Sequence, residues 1–157
     1  QESFDSFVRP KREISEAAHA IHGINGAMLR GETPIEEVLP KLKKFLEDTV
    51  IVGHNVDFDM RFFAAAEKSS NVVFSNTVLD TLLLDYLLSP NQEDKSLEAI
   101  AGRLGVQVTG RHTALGDALS TAQIFLALIP LLAEHGIRTL GDAVAACRAS
   151  PYARMTA

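Results

Sequence analysis

The stretch VIVGHNVDFDMRFF, residues 50–63, decides the fold. Its opening VIVG is too apolar for an exposed surface and reads as a strand buried on both faces, as in a parallel sheet covered by helices. The polar pair His54 and Asn55 ends the strand. Phe58, Phe62, Phe63 and Ala66 then fall on one side of a helix, with Asp57 placed to cap it and Asp59 in its first turn.

Upstream, residues 4–8 alternate apolar and polar and stop at Pro10, which predicts a short edge strand. Ser15 starts a short helix that Gly23 stops. Thr33 stands as a cap with Pro34 at the first helical position, before Ile35, Val38, Leu39, Leu42, Phe45 and Leu46 recur on one face. Downstream, a strand is expected at 77–79, followed by a helix that Asp80 caps and Pro90 closes. SLEAIAGRLG runs from Ser96 to Gly105, and the longest helical signal extends from about Thr113 to Glu134. LGDAVAACR is a final amphipathic helix with Thr139 as its cap. This order predicts an α/β layer fold, with a domain over 1–135 and a C-terminal helix and tail over 136–157. About three strands are evident, where sheets average about five or six.

At 157 residues and 46% apolar content, the chain suits one domain with a real core. The single cysteine, Cys147, excludes a disulfide scaffold and fits a reducing, cytosolic setting. The longest apolar-rich stretch, 124–133, is short and contains Pro130, so no membrane span is expected. The opening QESFDSFVRP reads as the middle of a domain. A formal charge of −5 argues against a broad electrostatic sink for duplex DNA, yet a site built from carboxylates can be acidic and attract phosphate locally through bound cations. Arg9, Lys11 and Arg12 form one basic patch; Lys41 and Lys44 read as an ordinary solvated helix face, beside Lys43.

Two clusters carry chemistry. His54, Asn55, Asp57 and Asp59 follow a buried strand, where open α/β sheets place ligands. Asp59 near a helix start is expected to stay ionised and to suit a hard cation. The bland reading, in which both aspartates cap and His54 closes a turn, stands equally on spacing alone. Arg111, His112 and Asp117 form the second cluster. With His112 in the loop and Asp117 in the first turns of the helix, both face one cleft; a surface histidine is the alternative. Gly116 is placed for a close backbone approach. Phosphodiester hydrolysis needs an activated water and an offset for charge on the phosphate and the leaving oxygen. Two cations about 3.5–4 Å apart supply both, and carboxylates bring such ions together.

The segment HNVDFD resembles the second motif of the DEDD exonuclease superfamily, written HNxxFD in many members. HTALGDA resembles the third motif of the DEDDh branch, a histidine five positions ahead of the last metal-binding aspartate. FVRP, IHGIN, VLDTLLL and KSLEAIAGRLG also match, so the resemblance covers 4–128. It implies a ribonuclease H-like exonuclease fold, a mixed sheet flanked by helices, related to the epsilon subunit of DNA polymerase III. It further implies Asp59 and Asp117 as metal ligands and His112 as general base. His54 and Asn55 then shape the loop beside the metals, with Asp80 as a recurrent aspartate whose capping role suffices. Ile24 falls in the segment that packs near the terminal nucleotide, and Phe58 and Phe62 are expected in the core. Two Mg²⁺ or Mn²⁺ ions and a single-stranded DNA or RNA 3′ end are the implied cofactors and substrate. A polymerase or fused domain is the implied partner, with no membrane.

The family's opening Asp-x-Glu strand has no counterpart ahead of Phe4, since Glu2 and Asp5 lack its spacing. Truncation of the N-terminal strands is the expectation, and with it an inactive chain drawn from an active 3′–5′ exonuclease. A noncatalytic nucleic-acid or protein-binding homologue is the competing expectation. A convergent metallohydrolase would leave the shared order of the supporting segments unexplained.

Overall fold

The apolar run at the centre of the chain forms a strand, and its partner is the one expected near residue 78. In the computed structural model, which describes residues 2–110 and 112–150, β1 is Ile51–Gly53 and β2 is Val78–Asp80. They pair in parallel, Ile51 with Val78, Val52 with Leu79 and Gly53 with Asp80. The crossover between them carries helix α3, Asp57–Ser70. The remaining helices are α1 (Glu16–His22), α2 (Ile35–Leu46), α4 (Thr81–Leu88), α5 (Leu97–Leu104), α6 (Ala114–Glu134) and α7 (Leu140–Ala149). Arg111 and residues 151–157 lie outside the described residues.

Local chemistry sets most of these boundaries. The hydroxyls of Ser15, Ser96 and Thr113 accept from Ala18, Ala99 and Gly116 N–H groups at the starts of α1, α5 and α6. Thr139 and Asp142 complete a reciprocal capping box on α7. Gly23 and Gly105 take the left-handed conformation that closes α1 and α5. Leu79, Leu84, Ile100, Ile124, Leu128 and Cys147 are packed in one buried cluster, which joins β2, α4, α5, α6 and α7. Truncating one of its fully buried leucines to alanine costs about 2–5 kcal/mol. α7 therefore shares the core of the preceding elements.

Three expectations are corrected. Residues 4–8 form no strand: the only ladder contact nearby is an isolated bridge, in which Arg9 N–H donates to the Thr33 carbonyl at 3.0 Å. Alternation cannot make a strand without a neighbour to pair its backbone, and Phe4 instead packs on Phe45 of α2, ring centroids 5.7 Å apart. The sheet among the described residues is two parallel strands flanked by helices, a reduced form of the α/β layer fold expected. Thr33 does not cap α2, whose N-cap position is Pro34 with no side-chain bond. Finally, α6 continues through Pro130 for 21 residues and is long and apolar enough to cross a membrane by length and composition; its Ile124, Leu128 and Leu132 are instead core residues.

Candidate active-site cleft

The turn after β1 is built by backbone constraints. A Cβ on Gly53 would stand 2.5 Å from Val56 Cγ2, so the turn tolerates no side chain there. Asn55 takes φ 55°, a left-handed conformation that asparagine adopts more readily than most residues. Asp57 is the first residue of α3 rather than its cap, and pairs with Arg61 one turn on at 2.6 Å. The capping comes from another strand. Asp80, 6% exposed, accepts from Asn55 N–H (2.9 Å) and Leu82 N–H (2.9 Å) through Oδ1, and from Val56 N–H (3.0 Å) through Oδ2. Its neighbour Thr81 lies 3.0 Å from His54 Nδ1, and its hydroxyl is 3.2 Å from the Gly53 carbonyl.

The second wall comes from α6. Thr113 Oγ1 donates to the Gly110 carbonyl at 2.6 Å and accepts from Gly116 N–H at 3.1 Å, which locks the loop to the helix start. A Cβ on Gly116 would meet the Gly110 carbonyl oxygen at 2.1 Å and that of Thr109 at 2.6 Å, so the close approach expected at this glycine is realised. The loop reaches the helix through His112, at φ 60°. Histidine enters this left-handed region more readily than most side-chain-bearing residues. Asp117, half-buried, follows in the first turn.

Asp59, His112 and Asp117 line one cleft of about 540 Å³, together with His54 and Glu98. Val52 and Phe63 supply part of its apolar wall. Glu98, in the first turn of α5, was not visible as a cleft residue from sequence, where it looks like one more acid at a helix start. Ile24 is not among the lining residues; it sits after α1, held by a bond from its N–H to His22 Nδ1 (3.0 Å) and by its carbonyl against His19 Nδ1 (2.9 Å). Phe58 and Phe62 are not core residues: they are 60% and 63% exposed and stack edge to face at 5.0 Å. Helical spacing placed them on one face, and that face is turned to solvent.

Electrostatics refine the picture. Partial desolvation raises the Asp59 carboxyl above the ordinary aspartate value; its own backbone N–H opposes this and the nearby Asp80 charge adds to it. The expectation that the helix start would favour the anion is thus outweighed by loss of water and a like charge. Burial lowers the His54 imidazole, against the pull of Asp80 and the Lys95 main-chain oxygen. A two-ion centre requires more than the cleft supplies: among the described residues no group of three or more His, Cys, Asp or Glu side chains could hold a metal ion. Asp59 and Asp117 by themselves do not fit a full oxygen cage.

The exonuclease family model, of the RNase T type, matches residues 1–125. A DNA polymerase III subunit epsilon-like protein of Rhodobacter capsulatus is 42% identical over 142 residues, which cover 89% of this chain and 20% of that protein. The chain therefore spans a fifth of that relative's length. The DNA polymerase III subunit epsilon of Aquifex aeolicus is 38% identical over 138 residues, covering 87% of this chain and 68% of the relative. Among solved structures, exonuclease X in complex with 5′ overhanging duplex DNA superposes with a TM-score of 0.72 at 26% identity, over 89% of this chain and 78% of that one. Together with the motif order and the cleft, these likenesses establish that the chain belongs to the DEDDh, RNase T-like family of 3′–5′ exonucleases related to the epsilon subunit of DNA polymerase III.

Proposed function

We propose that this chain binds the 3′ end of a single nucleic-acid strand in the Asp59–Asp117 cleft and by itself does not hydrolyse it. The observation that carries this reading is the cleft: Asp59, His112 and Asp117 line one cavity, yet no set of three metal-ligating side chains is assembled among the described residues. In this respect the chain behaves as the noncatalytic binding homologue. Where the natural protein supplies further carboxylates to the same cavity, Asp59 and Asp117 would serve as ligands for Mg²⁺ or Mn²⁺, which when bound offsets charge on the phosphate. His112 would take the proton of the attacking water, an imidazole being matched to that task near neutrality. The exposed pair Phe58 and Phe62, flanking Asp59 in sequence, offers faces on which unstacked bases can pack. DNA is the proposed substrate and a polymerase the proposed partner, in the cytoplasm, because relatives are DNA polymerase III subunits.

The test compares the purified 157-residue chain with the natural full-length protein on a 5′-labelled single-stranded oligonucleotide in Mn²⁺. Binding without shortening is expected for the chain, and stepwise 3′ shortening for the full-length protein, abolished by Asp117→Ala. Robust turnover by the chain would refute the incomplete-cage reading. A full-length protein that binds but never cleaves would make the noncatalytic role general.

A further inference from the structure

We propose that Asp80 is a positioning residue that clasps the ends of the two strands together and thereby sets where α3 presents Asp59 to the cleft. The catalytic consequence rests on the exonuclease reading above; the geometric one does not.

A cap on α4 alone does not account for the arrangement. α1, α5, α6 and α7 begin with a serine or threonine hydroxyl bonded to one N–H, which is all that a cap needs. At α4 the chain places a buried carboxylate that accepts three N–H groups, and only the one from Leu82 belongs to α4. The other two come from Asn55 and Val56, far away in sequence and adjacent in space because Gly53 pairs with Asp80 in the parallel register. Val56, the N-cap residue of α3, makes no side-chain cap bond of its own, and Asp80 takes its N–H. Thr81 extends the clasp by setting its hydroxyl between His54 and the Gly53 carbonyl. Two adjacent residues of β2 and α4 thus engage four consecutive residues at 53–56, including the left-handed Asn55. Asp59 lies three residues past Val56, within the first turn of the helix so anchored.

Asp80→Ser in the natural full-length protein separates the two roles. Serine still caps α4 but is too short to reach Asn55 and Val56. Amide exchange at Asn55 and Val56 is expected to accelerate roughly 10-fold or more, the scale of a lost charge-assisted hydrogen bond, while Leu82 keeps its protection. In the active enzyme kcat is expected to fall roughly 10- to 100-fold with KM nearly unchanged, as for other residues that orient a ligand without touching substrate. Wild-type exchange at Asn55 and Val56 would overturn the clasp. Faster exchange with unchanged kcat would overturn the positioning role and leave the exonuclease reading intact. An inactive wild type would refute that reading, and exchange alone would then decide the clasp. Should the serine variant fail to fold, Asp80→Asn gives the same comparison, because it keeps the size and one acceptor but must forfeit at least one of the three bonds.

Discussion

Replacing Asp85 with alanine removes the buried carboxylate that pairs with both Lys95 and Arg103. Asp85 is 3% exposed and Lys95 8%. Lys95 Nζ lies 2.8 Å from Asp85 Oδ2, where Arg103 Nη2 also bonds at 2.8 Å. Arg103 is partly open to water and can turn outward, so the cost falls on Lys95. Its ammonium would keep the Ser89 carbonyl at 2.5 Å, a longer bond to the Asp85 carbonyl and the face of the Tyr86 ring at 4.7 Å, none of which carries a full negative charge. Breaking a buried pair by removing one partner costs about 3–5 kcal/mol. For a domain of this size each kcal/mol lowers Tm by about 2–4 °C, so a fall of about 6–20 °C is expected in a thermal melt. A urea titration should show a lower midpoint at unchanged slope. The double variant Asp85→Leu, Lys95→Met removes both charges and should recover most of the loss. A single Asp85→Ala variant within about 1 kcal/mol of wild type would refute the account, because the pair would then be no better than a surface one.

The Asp59 carboxyl should titrate above the ordinary aspartate value in a metal-free NMR titration, and Mn²⁺ affinity should fall as pH drops through that raised value; an unshifted carboxyl would contradict the desolvation argument. Because burial lowers the folded-state imidazole of His54, its contribution to stability is full above the unfolded value of 6.5 and is lost as pH falls from there toward the folded one, which His54→Gln should abolish in melts across that range. Gly116→Ala forces a Cβ against the Gly110 carbonyl and should cost about 1–3 kcal/mol, with shifted resonances at His112 and Thr113. Phe58→Ala and Phe62→Ala should leave Tm nearly unchanged while weakening single-strand binding by about 1–3 kcal/mol per lost base contact, read by fluorescence anisotropy. Unchanged affinity would return both rings to a role unrelated to nucleic acid.

What was legible in the sequence was local. A hydroxyl three residues ahead of an N–H, a glycine at a helix exit and an apolar run between polar turns each act within a few residues, so Ser15, Ser96, Thr113, Thr139, Gly23 and Gly105 were placed from pattern alone. From the two motif segments, His54, Asp59, His112 and Asp117 line one cleft. What escaped was set by partners distant in the chain. Asp80 read as an ordinary cap because its bonds to Asn55 and Val56 depend on strand register. Asp85 meets Lys95 and Arg103, ten and eighteen positions further on, through contacts that no local pattern carries. The Phe58 and Phe62 face was assigned to the core because periodicity shows that a face exists without showing which way it points.

The parts of the cleft that hold its shape differ from those that would act on a phosphate. Gly53, Asn55, Gly116 and His112 bend the backbone, through two missing Cβ atoms and two left-handed residues, so that both helices begin at the cleft. Asp80 holds the N–H groups of Asn55 and Val56 just ahead of α3, and Thr113 caps α6. A helix start is an electropositive place that a carboxylate would ordinarily neutralise as a cap. Here Thr113 caps its own helix and Asp80 bonds the Val56 N–H ahead of α3, while each aspartate sits in the first turn. Both line one cavity, where partial desolvation raises the Asp59 carboxyl above its ordinary value.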